Sequence, residues 1–400
     1  MRALKTSIVG SSNNSGTLMR LRGSKAFRAV LAVQLGLAVI LLHLGSQTGC
    51  ERQATTSPAA LPHVKIGWIG LVCEAPLFAA NENGYFKDEG LDAELVKTDW
   101  DSFQAGMSFN RFDATHTLVT YLLKPIEQGL DVKLTAGVHR GCLRIQAGIN
   151  TNIHSVEDLR GKRIAVSTMG NPPMIFASRV LSAHGIDVQK EITWLVYPAD
   201  STELAMNKGQ VDAVADSEPI GSLLLDQKCV RTIVDQMLDA PYKDEFCCAV
   251  VISGPLARRS PEIAAKLTRA IMRGSKWVGM NPQAAARIEV ERRYISRANV
   301  ELNAAILTKL KYEPAVETCR AGIDIQCVEM KAARVLNQST DPHELARRAW
   351  LHLDGVTDDW VRDVPVARVD GAGPVRLTAL EFAALAGKDP ACCGKCCAGE

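Results

Sequence analysis

Hydrophobic and polar positions follow two rhythms along this chain, and the change between them comes near residue 260. Before it, short apolar runs bounded by turn residues recur at 64–69, 91–96, 131–137, 144–149, 163–167, 193–197, 211–215 and 247–252. Runs of that length predict strands, and 91–96 alternates with period two. Stretches of helical spacing separate most of them. The first helix starts at 76–83, and the Gly-bounded turn 84–90 leads from it into 91–96, so the opening unit is βαβ. Beyond Pro261 the period lengthens: Ile263, Leu267, Ile271 and Val278 fall near one helix face, with Ser260-Pro261 as start signal and Asn281-Pro282 as stop. A helix over 282–294 and more between 299 and 353 follow. The chain contains no internal repeat. The pattern predicts an α/β fold with a helical C-terminal region.

The N-terminus carries an address. Arg20, Arg22, Lys25 and Arg28 precede the apolar run 29–44, and small residues then lead to Gly49-Cys50. Interrupted by Gln34 and His43, that run is shorter than the roughly 20 residues a spanning helix needs, so 1–50 reads as a secretory signal. Cys50 resembles the acceptor of a bacterial lipoprotein signal: Thr48 and Gly49 fit, Gln47 does not, and simple cleavage or an uncleaved anchor stays open. The region before Arg20 is long, which leaves Met19 as a second candidate start. Residues 51–62, rich in Thr, Ser, Ala and Pro, read as a tether. With no later segment long and apolar enough to span, the expected location is exported, on the periplasmic side of the inner membrane, held there by a lipid anchor or by the N-terminal segment.

Composition narrows the classes. Lys and Arg number 46 against 44 Asp and Glu, giving +2, and 47% of the 400 residues are hydrophobic. The chain can therefore bury a large core, and it offers no basic stripe for a nucleic-acid backbone. Of its twelve cysteines, eleven remain when Cys50 is set apart. In an oxidising compartment that odd number predicts at least one thiol that is free, reactive or metal-bound.

Several segments in order then resemble a family. These are 64–69, Ala75-Pro76-Leu77-Phe78-Ala79-Ala80, the run from Asn83-Gly84-Tyr85-Phe86 through Gly90-Leu91, 136–142, 155–166, 209–214 and Asn281-Pro282. Together, across about 63–359, they look like the nitrate/sulfonate/bicarbonate-type substrate-binding proteins of ABC transporters, a group that includes binders of the thiamine pyrimidine precursor. The resemblance implies a bilobed periplasmic-binding-protein fold of type II. Lobe one would comprise 63–150 and 253–360, lobe two 155–246, with two crossover strands near 151–154 and 247–252 and a tail over 361–400. It further implies a monomer that needs no cofactor, traps a small polar or anionic solute between the lobes and presents it to a permease and ATPase complex.

Candidate cleft residues follow the strand ends. Cys73-Glu74-Ala75-Pro76 opens a helix whose free N–H groups either face a ligand or make a plain turn. His116 and Thr117 follow an apparent short strand at 112–114 and either donate to a ligand or sit buried on backbone partners. Ser167, Thr168, Met169 and Gly170 turn the chain ahead of Pro172-Pro173, aiming hydroxyls and N–H groups at one point. Asp216 and Glu218 follow 211–215, and their carboxylates suit a cationic or hydroxyl-bearing ligand or cap the next helix. His139, Arg140 and Cys142, with Arg144, concentrate positive donors suited to a carboxylate, sulfonate or phosphate, or form ordinary surface charges. Anion and cation features thus coexist.

The remaining cysteines form three groups. Cys392, Cys393, Cys396 and Cys397 lie in the tail, as disulfides or redox thiols or as ligands for zinc, copper(I) or an iron–sulfur cluster. Cys247 and Cys248, adjacent in a strand, should point to opposite faces, and Cys319 with Cys327 could close a local loop. Two other function classes compete: an enzyme like the eukaryotic thiamine-pyrimidine synthases of this fold, or a sensor or metallochaperone acting through the tail. The chain lacks the Cys-Cys-Cys-Phe-Cys run of those synthases and carries no phosphate loop, G-x-S-x-G or H-E-x-x-H. The expectation is a binding protein, not an enzyme.

Overall fold

Among the described residues, ten strands build two sheets. They are β1 (His63–Trp68), β2 (Asp92–Lys97), β3 (Ala114–Leu118), β4 (Val132–Arg140), β5 (Leu143–Gly148), β6 (Arg163–Val166), β7 (Thr193–Val196), β8 (Ala213–Ser217), β9 (Val230–Asp235) and β10 (Phe246–Ser253) in a computed structural model. The structure describes residues 60–198, 201–295 and 299–370. The expected signal segment with Cys50, most of the tether and the four tail cysteines lie outside the described residues.

The strand orders are β2-β1-β3-β10-β4 and β7-β6-β8-β5-β9. The first sheet holds β1 to β4 and the returning β10, which runs antiparallel between β3 and β4; the second holds β5 to β9, with β5 antiparallel between β8 and β9. The chain therefore passes between two α/β lobes twice, as expected for the bilobed fold. The passages are not where the sequence put them. The first is the turn at Gly141 and Cys142, ahead of β5, and the second lies between β9 and β10. Residues 151–154 follow β5 inside the second lobe, and 247–252 form a wholly buried central strand of the first. An apolar run buried on both faces reads alike in sequence whether it crosses between sheets or completes one. Gly141, with φ +73°, lets the two passages touch, since a Cβ there would come 2.9 Å from the Met237 Cβ.

Two further strands escaped the pattern. β9 is an edge strand interrupted by Arg231 and Thr232, and β3 sits at Ala114–Leu118 rather than 112–114 because Thr115, His116 and Thr117 break its apolar signal although all are buried.

Six helices position the site: α1 (Ala75–Glu82), α2 (Pro172–Ala183), α3 (Pro261–Met280), α4 (Pro282–Glu291), α5 (Val300–Lys309) and α6 (Glu317–Ala332). α1 carries an unbroken apolar stretch, Ala75 to Ala80, buried against α3. The approach is close because Gly274 of α3 has no side chain: a Cβ would lie 2.3 Å from the Pro76 carbonyl oxygen. Gly274→Ala is expected to lower stability by about 1–3 kcal/mol, read as a shift of the denaturant midpoint; an unchanged midpoint would mean the helices separate freely. α6 packs against α2 of the second lobe and against β4 and β10 of the first, so the C-terminal helices bridge the lobes rather than belong to one. Cys319 and Cys327 are both buried on α6 and free. Eight residues along a helix span about 12 Å, too far for the expected bridge. Among the described residues no helix is long and apolar enough to cross a membrane.

Candidate functional site

Where the two passages meet, the molecule holds a buried polar interior. Its first-lobe half begins at the turn after β1. The backbone N–H groups of Ile69, Gly70 and Leu71 all donate to the carboxylate of Glu74, at 2.7 to 3.2 Å. Burial pushes Glu74 up to about 7, against those donors, which pull it down. In the helix opening, where free donors were expected to face a ligand, the Glu74 and Ala75 N–H groups donate instead to the Leu71 and Val72 carbonyl oxygens. Pro76 lies buried in the first turn of α1 against α3 and adds no free donor.

His116 on β3 and His139 on β4 are almost wholly buried, with ring centroids 5.5 Å apart, and Tyr312 lies 5.2 Å from His139. Both nitrogens of His116 and Nε2 of His139 lack hydrogen-bond partners, while His139 Nδ1 sits 3.5 Å from the Arg140 carbonyl oxygen. Burial holds both imidazoles below their ordinary pKa, and for His116 the neighbouring His139 adds to it. They are neutral at pH 7. Thr117, the next residue on β3, points to the opposite sheet face, where its hydroxyl is unpartnered.

Beside the histidines four buried thiols close a ring: Cys73 touches Cys142, Cys142 touches Cys247, Cys247 touches Cys248, and Cys248 returns to Cys73. Cys73 comes from the turn before α1, Cys142 from the first passage and the other two from the start of β10. Strict alternation would send Cys247 and Cys248 to opposite faces. They share a side because the pairing of β10 with β4 shifts register on each side of Cys248, a bulge that re-aims one side chain.

The second-lobe half is a guanidinium among carboxylates. Arg144 on β5 pairs in register with Asp216 on β8. Its Nε donates to Asp235 at 2.8 Å, its Nη2 meets Glu218 at 2.9 Å, and its Nη1 donates to the Ser222 hydroxyl at 3.2 Å. Burial works against its charge, yet Glu218, Asp235 and Asp216 outweigh that and hold it protonated. Asp216 accepts no hydrogen bond at either oxygen, and burial drives its pKa well up. Lys309 at the end of α5 reaches across to donate to Ser222 at 3.1 Å. Arg140 is also engaged: Nη1 donates to Glu313 at 2.8 Å, and its guanidinium lies 4.7 Å from the Phe246 ring centre.

Of the residues proposed from sequence, the structure gathers Glu74, His116, His139, Cys142, Asp216 and Glu218. Ser167, Thr168, Met169 and Gly170 are exposed instead. There Asn171 caps α2 by accepting from the Met174 N–H and donates to the Ser167 hydroxyl, so local turn chemistry accounts for that polar cluster. Asp235, Ser222 and Tyr312 were missed. Asp235 ends the unrecognised β9, and the other two bore no motif.

The sequence model of the NMT1-like family matches residues 57–292. The chain belongs to the NMT1-like family. Among relatives of this NMT1-like protein, the nitrate/nitrite binding protein NrtA of Nostoc sp. strain PCC 7120 is 23% identical over 308 residues, covering 66% of this chain and 69% of that protein. Two solved structures share its fold. The periplasmic nitrate-binding protein NrtA from Synechocystis PCC 6803 superposes with a TM-score of 0.58 at 17% identity, over 76% of this chain and 88% of that one. The periplasmic aliphatic sulphonate binding protein SsuA from Escherichia coli gives 0.59 at 15%, over 78% and 98%.

Proposed function

We propose that this NMT1-like protein is the extracytoplasmic solute-binding component of an ABC importer. It captures a small polar solute between its lobes and presents it to a permease and ATPase complex, from a position secured by Cys50 or the segment before it. The names of its relatives and the shared bilobed fold support this reading. The observation that carries it is that both lobes contribute buried polar atoms without partners, the nitrogens of His116 from one and the oxygens of Asp216 with Glu218 Oε2 from the other. Natural interiors leave few such atoms unsatisfied, and a solute completes them.

Site chemistry also narrows the solute. Arg140 and Arg144 are engaged by carboxylates, both histidines are neutral, and the atoms awaiting partners include the oxygens of Asp216 and Glu218 Oε2 beside the imidazole nitrogens. That arrangement favours a neutral or cationic molecule rich in N–H donors, such as an aminopyrimidine, over a bare oxyanion such as nitrate. Calorimetric titration with an aminopyrimidine, nitrate, an alkanesulfonate and bicarbonate tests this. The aminopyrimidine should bind one per chain and lose at least about tenfold in affinity in Asp216→Ala, as expected when a buried polar group loses its hydrogen-bond partner. Tightest binding of nitrate, unaltered by that substitution, would refute the solute class.

A further inference from the structure

We propose that Cys73, His139 and Cys248 form a site for one thiophilic divalent ion of the zinc class, at the base of the first lobe where the chain passes to the second. Their ligand atoms all lie within 4.8 Å of one another, and all three residues are buried. A tetrahedral ion with bonds of about 2.0 to 2.3 Å separates its ligand atoms by roughly 3.5 to 3.8 Å, so small side-chain rotations complete the coordination. The fold places the three together for separate reasons: His139 and Cys248 are register partners on β4 and β10, and the turn before α1 brings Cys73 onto them.

A second observation points to a ligand independently. His139 is wholly buried, yet Nε2 has no hydrogen-bond partner, while Nδ1 lies 3.5 Å from the Arg140 carbonyl. With the proton on Nδ1, the Nε2 lone pair is free, which is how metal-bound histidines are oriented by a backbone carbonyl behind them. Two thiolates and a neutral imidazole around a divalent ion sum to zero charge, the state that a dry interior tolerates. A monovalent ion would leave a buried negative charge. The ion enters by displacing one proton from each of Cys73 and Cys248, both released to solvent. Three protein ligands leave a fourth position open. This site shares no residue with the Arg144 cluster and stands whether or not the chain serves an importer.

The test uses the full chain with Cys392→Ser, Cys393→Ser, Cys396→Ser and Cys397→Ser, so that the tail cannot report. After reduction and addition of zinc chloride, native mass spectrometry should show one zinc per chain less two protons. Cobalt(II) in its place should give a sulfur-to-metal charge-transfer band in the near ultraviolet, which needs no further variant. Cys73→Ser, and separately His139→Ala, should reduce zinc from one per chain to none in protein whose circular dichroism stays native. Failure of the reduced, folded protein to take up zinc or give the cobalt band would overturn the proposal. So would one zinc retained in both variants, or a ring found as disulfides that takes up zinc neither before nor after reduction.

Discussion

Arg179→Met is expected to lower folding stability by about 3–5 kcal/mol, the range found when one partner of a buried ion pair is removed. Arg179 on α2 has no exposed side-chain surface. Its Nη2 donates to both carboxylate oxygens of Glu245 at 2.8 Å and to Glu329 on α6 at 2.6 Å. Without it, Glu245 is left buried on the second passage with no cation. The pair ties three parts together: a second-lobe helix, the segment returning to the first lobe and the C-terminal helix bridging both. Urea unfolding at pH 7 measures the loss. A change below about 1 kcal/mol would place the pair with surface salt bridges, which contribute little.

The second large effect belongs to Arg144→Met, and its size depends on pH. Arg144 is the cation among Asp216, Glu218 and Asp235, and the side chains of Arg144, Glu218 and Asp235 are less than a tenth exposed. Asp216 is already held well above its ordinary pKa by burial, with Arg144 opposing that shift. Removing the guanidinium removes the opposition, so Asp216 titrates still higher in the folded chain than in the unfolded one. A carboxyl raised in this way binds protons more tightly when folded, and stability falls as pH rises from the unfolded pKa, near 4, through the folded one. The variant should therefore lose at least about 3 kcal/mol at pH 8 and recover much of it at pH 5. Thermal unfolding at both pH values checks this, and an equal loss at each would mean that the guanidinium acts through packing alone.

How far the sequence could be read depends on what each residue's neighbours were. The βαβ opening and the long helix after Pro261 were legible because their apolar spacing is set locally, by period two and period 3.6. The lobe boundaries were not, since Leu143–Gly148 and Phe246–Ser253 are buried strands whose sheet membership depends on partners far away in the chain. Asp216, Glu218, His116 and His139 stood out as polar residues at strand ends, and the side chains of all four are buried. Ser167 to Gly170 carried an equally strong local signal, but one that starts α2. The thiol ring was hidden for a third reason: only a bulge, invisible in one sequence, turns Cys247 and Cys248 to one side, and only tertiary folding adds Cys73 and Cys142.

Capture of a solute between the lobes is tested most directly by native mass spectrometry of the full chain, purified from an exported fraction without chelator or reductant and then offered the four candidate solutes. The account predicts one small organic molecule per chain, retained at purification or taken up from the set, and lost in Asp216→Ala. A chain that stays free of every solute, carrying at most a metal ion, would contradict it.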